Sequence, residues 1–523
     1  MSKVSALAVR ELTALPEVMT CFEAIRGAAV PAKNAPSPYP WLLDSGGSPG
    51  APSSDVARYS FMGRDPYLVL RSRGDQSELE FLRGGVVPGR ELGVDKVTGD
   101  PLEIMRSLLP PVPDLAGLSA ELACVPPFLA GAVGYLAYEL GESCEPVKLT
   151  GRDDFGLPEL VLLFVDRLIV IDHVAGCGYA VGLGIAEGPD VSVAQARAEL
   201  AAEDMEHLAT ASLAVARLSA AETEVDWMQR RRLLGSSLPK GAAACFDAQG
   251  YAAAVEEIRG EIAVGNVYQA TLTQRIDLPT REQDAPSGDA DLGWRLYRAL
   301  RHLSPAPFAA YLELPEVTIA SSSPERFLSL DRAGQVESRP IKGTRRRGAT
   351  EEEDTLLAKE LERSQKDRAE NLMIVDLVRN DLGRVCETGS VVVPELMAIE
   401  PYATVFQMVS TVRGSLREDR DVADLIRATF PPGSMTGAPK IAAMKIIDRI
   451  EPVRRGIYSG AIGYFDAAGG LDLSVVIRTL LVRDGKIHLH SGGAVVSDSD
   501  PMDEYRESLD KVRALLAAVE CSA

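Results

Sequence analysis

Hydrophobic and polar positions divide the chain into strand-period and helix-period segments. Residues 160–172 form a long apolar run rich in β-branched side chains, the pattern of a buried strand. Residues 38–45 read as extended chain entering a loop, and 58–63 as a resumed strand. Between them, residues 46–54 contain only Gly, Ser, Pro and Ala, a flexible loop by composition. Residues 194–213, rich in alanine and charged side chains, predict a helix, and 251–263 predict another. A Gly265-Asn266 turn then opens a strand running through Gln274 with apolar–polar alternation. Phe327-Leu328-Ser329-Leu330 alternates in the same way, and Asp331-Arg332-Ala333-Gly334 supplies turn chemistry. The pair predicts a β-hairpin that holds Glu325 and Lys342 near each other on paired strands. Residues 351–382 read as mostly one charge-rich helix and 502–511 as a second, while 457–464 and 475–480 read as neighbouring strands. The segment 215–244 is weakly patterned, so the chain divides into 1–214, a linker at 215–246 and 247–520. Mixed helix and strand signals of this kind predict a layered α+β protein.

Composition narrows the chemistry. A chain of 523 residues suffices for one very large domain or two to three ordinary ones. Its net charge of −20 disfavours non-specific binding to nucleic acid, so an anionic substrate needs a local basic pocket. Seven scattered cysteines (Cys21, Cys124, Cys144, Cys177, Cys245, Cys386, Cys521) form no Cys-x-x-Cys pair. That odd, dispersed set predicts reduced thiols in the cytoplasm. His488 and His490 alternate on a probable strand without the spacing of a zinc site. Met1-Ser2-Lys3-Val4 lacks the order of a signal peptide. No apolar run reaches the ~18 residues of a membrane span.

Several polar residues carry possible chemistry. Glu325 is a candidate acid and Lys342 a candidate amine nucleophile or base. Gly343 permits close backbone approach, and Arg345, Arg346 and Arg347 follow. If their charges point inward, they favour the neutral amine. A lysine on a solvated basic loop fits the same spacing. Asp367 and Glu370 share one helix face, and Glu504, Glu507 and Lys511 share another. Solvated helix surfaces look the same. A lone Arg478 in an apolar strand is costly to bury without an anionic partner.

Four motifs occur in a fixed order: Ser323-Pro324-Glu325-Arg326-Phe327, Pro340-Ile341-Lys342-Gly343-Thr344, the run 369–381 from Ala369-Glu370-Asn371 to Asn380-Asp381, and Gly433-Ser434-Met435-Thr436-Gly437-Ala438-Pro439-Lys440. The chain resembles the chorismate-utilising enzymes, which include anthranilate synthase component I, aminodeoxychorismate synthase component I, and the isochorismate and salicylate synthases. Ordered long motifs are more specific than a single short one. They cover roughly residues 250–515, and 1–214 resembles the N-terminal part of anthranilate synthase component I. The resemblance implies two large antiparallel β-sheets packed together with helices outside. It implies that Glu370 and Glu507, supported by Asp367 and Glu504, hold Mg²⁺ against a carboxylate of chorismate. Mg²⁺ suits oxygen ligands and an anionic substrate. It further implies that Tyr458 and Arg478 grip the enolpyruvyl carboxylate, as arginine can do bidentately. Ser491-Gly492-Gly493-Ala494 matches a glycine-rich turn facing that carboxylate, and Lys511 matches a lysine near the ring. Thr436 and Gly437 belong to the implied substrate-binding set.

Departures between relatives narrow the reading. Isochorismate and salicylate synthases carry a water-activating lysine where this chain has Gln269. An amide cannot act as a general base, which points to an ammonia-using member. Lys342 stands where anthranilate-forming relatives have a small residue, as it does in the aminodeoxychorismate synthases. The resemblance therefore implies conversion of chorismate and ammonia to 4-amino-4-deoxychorismate. In that reaction Lys342 adds to ring C2 and Glu325 protonates the departing C4 hydroxyl. Gln407 replaces the histidine usual in anthranilate synthases. No Gly-x-Cys-x-Gly glutaminase turn is found, so ammonia is expected from a separate glutamine amidotransferase subunit or from free ammonium. The chain runs out after the Lys511 helix, so no fused pyridoxal-phosphate lyase is expected. Two other readings stand beside this one: anthranilate synthase component I, and a non-catalytic chorismate- or tryptophan-sensing subunit. Leu42-Leu43-Asp44-Ser45 falls where anthranilate synthases bind inhibitory tryptophan. Asp44 replaces the usual glutamate there, so regulation is not carried over.

Overall fold

A computed structural model describes residues 3–27, 39–45, 56–113, 115, 125–188, 190–219, 238–280, 288–402 and 405–522. Two antiparallel sheets, each of twelve strands among the described residues, make up the fold. Both mix strands from the two ends of the sequence. In the first, Trp41–Asp44 pairs with Phe308–Glu313. In the second, Gly131–Leu136 pairs with Ala461–Asp466. The main core lies between the sheets and includes Tyr135, Leu162, Phe164, Ile319, Leu473 and Val475. Full burial of such side chains stabilises by roughly 1.5–3 kcal/mol each, which holds the layers together. A second apolar cluster joins the outer face of the first sheet to the helices Val18–Gly27, Gly288–Leu303 and Arg513–Cys521.

The apolar run 160–172 is two strands rather than one. Leu160–Val165 lies in the second sheet and Arg167–Asp172 in the first. The chain changes sheets at Asp166, a buried carboxylate held by Arg83 and Arg167. Hydrophobic run length cannot register one buried acid that has its own partners. The helix expected over 351–382 also divides, into Glu351–Arg363 and Gln365–Gly383. Ser364 adopts extended backbone between them, and its side chain caps the second helix by accepting from the Asp367 N–H. The helices expected at 194–213 and 251–263 run longer, as Val191–Ser219 and Ala248–Ala263. Of the expected linker, 220–237 lie outside the described residues, as do the loop 46–54 and Cys124.

Two crossovers between the sheets place polar side chains in the gap between the layers. Thr318–Ser323 in the first sheet continues through Pro324 and Glu325 into Arg326–Leu330 in the second. Leu471–Val475 in the second continues through Val476, Ile477 and Arg478 into Thr479–Arg483 in the first. The crossovers run side by side, tied by Val475 N–H to the Glu325 carbonyl at 3.0 Å and Ser322 N–H to the Arg478 carbonyl at 3.1 Å. Where strands leave one sheet for the other, side chains project into the gap instead of onto a packed face. Glu325 and Arg478 both occupy such positions.

Candidate active site

The expected hairpin is present, with Ser329 opposite Glu337 and Leu330 opposite Val336. Lys342, however, is not on its partner strand. Ile341–Arg346 pairs instead with Val405–Ser415, and the register shifts between Ile341 and Thr344. Glu325 and Lys342 meet because the crossover and this irregular strand converge, close enough for each to perturb the other's ionisation. Glu325 is buried, and burial pushes its carboxyl above the usual carboxylate range. The Ser434 hydroxyl and the Lys342 charge pull the other way. Lys342 is half-buried, and burial holds its amine below the ordinary lysine range, against the pull of Glu370 and Glu325. Lys511 adds to the lowering.

The three arginines after Lys342 do not point inward. Arg345 bonds Glu360 and Asp367, Arg346 bonds Glu353, and Arg347 bonds Asp354. The acids of the Glu351–Arg363 helix neutralise them. The amine is tuned by desolvation and by Lys511 instead.

Two helices present the candidate metal acids. Gln365–Gly383 carries Asp367 and Glu370; Pro501–Asp510, capped by Asp500, carries Glu504 and Glu507. Glu370 and Glu504 are each repelled by Glu507, so three carboxylates converge. Burial raises the carboxyls of Glu370 and Glu504, while Lys511 at 2.7 Å lowers that of Glu507. Glu504 also accepts from Ser499 at 2.7 Å and faces Lys366 at 3.5 Å. Gly493 makes the convergence possible. A Cβ there would stand 2.9 Å from Glu504 Oε2 and 3.7 Å from Glu507 Oε1. Asp367 is turned aside to Arg345 at 3.1 Å. Among the described residues no three acid, histidine or cysteine side chains stand preassembled as a ligand shell, the acid oxygens being taken up by lysines. A cluster of oxygen donors bearing like charges is nonetheless the donor set a hard divalent cation requires.

Of the substrate-binding candidates, Gly493 and Lys511 lie directly against these acids. Gly492 and Gly493 are not in a turn but within the strand Lys486–Val495, opposite Thr273 and Leu272. A Cβ on Gly492 would lie 1.9 Å from the Leu272 carbonyl, so the close pairing requires glycine. Lys511 donates to the Gly492 carbonyl at 2.9 Å. Gln269 pairs with Ala438 next to Gly437, and both side-chain amide atoms of this fully buried glutamine are unbonded among the described residues. Thr436 is buried, its hydroxyl bonded to the Gly433 carbonyl at 3.3 Å. Gln407 is buried with its side-chain oxygen unbonded among the described residues. Tyr458 precedes the strand Ala461–Asp466 and stacks on His490, with ring centroids 4.9 Å apart. Arg478 lies between strands rather than within one, with left-handed backbone at φ 52°. Burial lowers its pKa, and no carboxylate among the described residues lies near enough to oppose this. The unbonded polar atoms of Gln269 and Gln407 and, among the described residues, a half-buried cation without an acid at Arg478 are groups that a polar anion would satisfy.

Sequence reasoning missed Ser434, Lys366 and His490. It also missed Arg455, whose guanidinium bonds Glu451, the Met435 carbonyl and the Thr271 carbonyl and so locks the turn beneath the site. A fully buried arginine four residues after a glutamate was the available signal. A larger cavity of about 590 Å³ lies elsewhere, lined by Asp44, Phe308, Arg326, Arg339 and Asp472. Its charges are already paired: Asp44 with Arg301, Arg326 with Asp472, and Arg339 with Glu400. Reactive groups sit at Lys342, not there.

Known proteins resemble this chain in sequence and fold. A family model described as chorismate binding enzyme matches residues 95–517. An aminodeoxychorismate synthase of Streptomyces griseus is 44% identical over 417 residues, covering 78% of this chain and 52% of that protein. Another, of Streptomyces pristinaespiralis, is 38% identical over 518 residues, covering 98% of this chain and 65% of that protein. The chain thus spans between half and two thirds of the length of these relatives. The solved structure of anthranilate synthase component I from Streptococcus pneumoniae TIGR4 superposes with a TM-score of 0.66 at 27% identity, covering 88% of this chain and 92% of the other. A match over four fifths of the chain, on a fold that carries the crossovers and the acid-bearing helices, leaves one assignment: the chain belongs to the chorismate binding enzyme family.

Proposed function

We propose that the chain is an aminodeoxychorismate synthase component I, which converts chorismate and ammonia to 4-amino-4-deoxychorismate, the precursor of 4-aminobenzoate. The observation that carries this reading is Lys342, an enclosed amine with a lowered pKa beside a buried acid with a raised one. Burial that favours the neutral form of each group suits a nucleophilic amine and a proton-bearing acid. The Lys342 nitrogen bonds to ring C2, the two conjugated ring double bonds each shift one position, and the C4–oxygen bond breaks as Glu325 supplies the proton that lets water leave. Ammonia then bonds to C4 and the C2–nitrogen bond breaks, restoring Lys342. Two allylic displacements replace one difficult step.

Arg478 and Tyr458 would hold the enolpyruvyl carboxylate. Glu370, Glu507 and Glu504 would hold Mg²⁺, which when bound neutralises the second carboxylate and orients the ring. Ammonia would come from a glutamine amidotransferase subunit or from free ammonium. Among the described residues no helix is long and apolar enough to cross a membrane, and the reading carries a cytoplasmic location with it.

Lys342→Ala tests the proposal. The variant should keep its carboxylate contacts, lose 4-amino-4-deoxychorismate and gain anthranilate-type product by direct attack of ammonia at C2. Mass spectrometry after incubation with chorismate, Mg²⁺ and ammonium reads this directly. An unchanged product from Lys342→Ala would reduce the lysine to an electrostatic contact and remove the chief reason for preferring this reading over anthranilate synthesis.

A further inference from the structure

In the proposed reaction, Glu325 and Lys342 change charge in opposite senses. The acid passes from neutral to anionic as its proton leaves with the C4 oxygen. The amine passes from neutral to cationic as its lone pair bonds to C2. One residue acts on both. The Ser434 hydroxyl lowers the pKa of the Glu325 carboxyl, with which it lines one small cavity, and the Ser434 carbonyl accepts from Lys342 Nζ at 3.2 Å. We propose that Ser434 is a positioning residue that ties the acid to the nucleophile and stabilises the charge each develops. The inference rests on the proposed roles of Glu325 and Lys342.

The orientation of the two contacts suits this task. A hydroxyl that lowers the carboxyl pKa presents its positive end where negative charge appears. The carbonyl aims its negative end at the nitrogen, where positive charge appears. A neutral amine that spends one N–H on the Ser434 carbonyl keeps its lone pair free for carbon. Such dipoles assist a reaction most when they are fixed beforehand. Ser434 is fixed: it sits in the 3-10 turn Gly433–Met435, buried, with Met435 N–H bonded to the Pro432 carbonyl at 3.0 Å. Arg455 holds the next carbonyl, that of Met435, at 2.6 Å. The other charged or titratable groups facing the pair are Glu370 from one helix, Glu507 and Lys511 from the other, and Tyr402. Asp381 lies across a cavity of about 20 Å³ that Glu325 and Ser434 also line.

Ser434→Ala removes the hydroxyl and leaves the carbonyl. The expected result is a fall in kcat of about 10- to 100-fold, the scale of one hydrogen bond to a charged group. KM and the Kd for chorismate should stay within about two-fold, with the urea unfolding midpoint unchanged. The limb of the kcat/KM profile belonging to Glu325 should move to higher pH, because loss of a donor to the carboxylate favours the protonated acid. Ser434→Thr, which restores a hydroxyl, should recover most of kcat. Wild-type kcat and an unshifted profile in Ser434→Ala overturn the proposal. So does a loss of activity matched by a loss of chorismate affinity or of stability, and so does an equally stable Ser434→Thr no faster than Ser434→Ala. Failure of the underlying reading is separately visible, as a product other than 4-amino-4-deoxychorismate from the unmodified protein.

Discussion

Arg478 makes the most exacting prediction, because function and stability should move in opposite directions. Its guanidinium is enclosed, its pKa is lowered by burial, and the only opposing influence among the described residues is the Tyr458 hydroxyl. Removing an ion from water costs several kcal/mol when nothing compensates it. Arg478 is only half-buried, so a fraction of that applies. Arg478→Met keeps the length and apolar stem while deleting the charge, and should stabilise the fold by roughly 1 kcal/mol. The left-handed backbone at φ 52° adds a cost of about 1 kcal/mol for any side chain with a Cβ. Arg478→Gly relieves that too. Under the proposed function the same substitutions would remove two hydrogen bonds to a substrate carboxylate. At roughly 1.5–3 kcal/mol each for charged partners, the Kd for chorismate should rise by about 10²- to 10³-fold or more. Urea unfolding and calorimetric titration with chorismate measure the two effects on the same samples. A destabilised Arg478→Met that still binds chorismate normally would mean that the guanidinium has a structural partner and the pocket takes its anion elsewhere.

Two further outcomes concern the acids. Glu507→Gln should leave the fold intact and lower Mg²⁺-dependent turnover by at least ~100-fold across a Mg²⁺ titration; full activity of the variant, or of the wild type in excess chelator, removes the metal assignment. Glu139 is buried, accepts from the Arg455 and Gly456 N–H groups, and is pushed by burial up to about 7. The folded chain therefore holds a proton that the unfolded chain has released, so this contribution is greatest below pH ~4.5 and is lost as pH rises through 7. Glu139→Gln should gain stability over the wild type with increasing pH, approaching about 3 kcal/mol above pH 7; an equal difference in urea midpoint at pH 5.5 and 8.5 would refute it.

The sequence made some of this architecture legible and hid the rest for physical reasons. Alternation exposed the 327–338 hairpin and the strand from Gln269, because one face of each must bury. It could not show that 160–172 changes sheets, since Asp166 is satisfied by arginines distant in sequence or hidden beside it. Helix period could not place the break at Ser364, which depends on one side chain capping the next turn. At the site, Glu325, Lys342, Glu370 and Arg478 were recognisable as residue types that need a reason to be where they are. The inward arginines were misjudged because local sequence does not reveal that Glu353, Asp354 and Glu360 one helix later face back onto them. Ser434 was invisible because half its contribution is a backbone carbonyl, which every residue has.

Charge balance explains why these particular groups occur together in a chain of net charge −20. Lys342, Lys366 and Lys511 face Glu325, Glu370, Glu504 and Glu507. Three cations and four acids sum to −1 when all are ionised. A neutral Lys342 beside a protonated Glu325 leaves the sum unchanged, so the reactive protonation state is reached without building net charge in a region of low dielectric. A dicarboxylate and a divalent cation sum to zero. If they enter together, binding leaves the net charge of the group unchanged. If either enters alone, two uncompensated charges must be desolvated. The lysines that grip Glu504 and Glu507 hold mutually repelling acids in place; under the proposed function a divalent cation would take over that task, and Lys511 would then be free to turn toward the substrate.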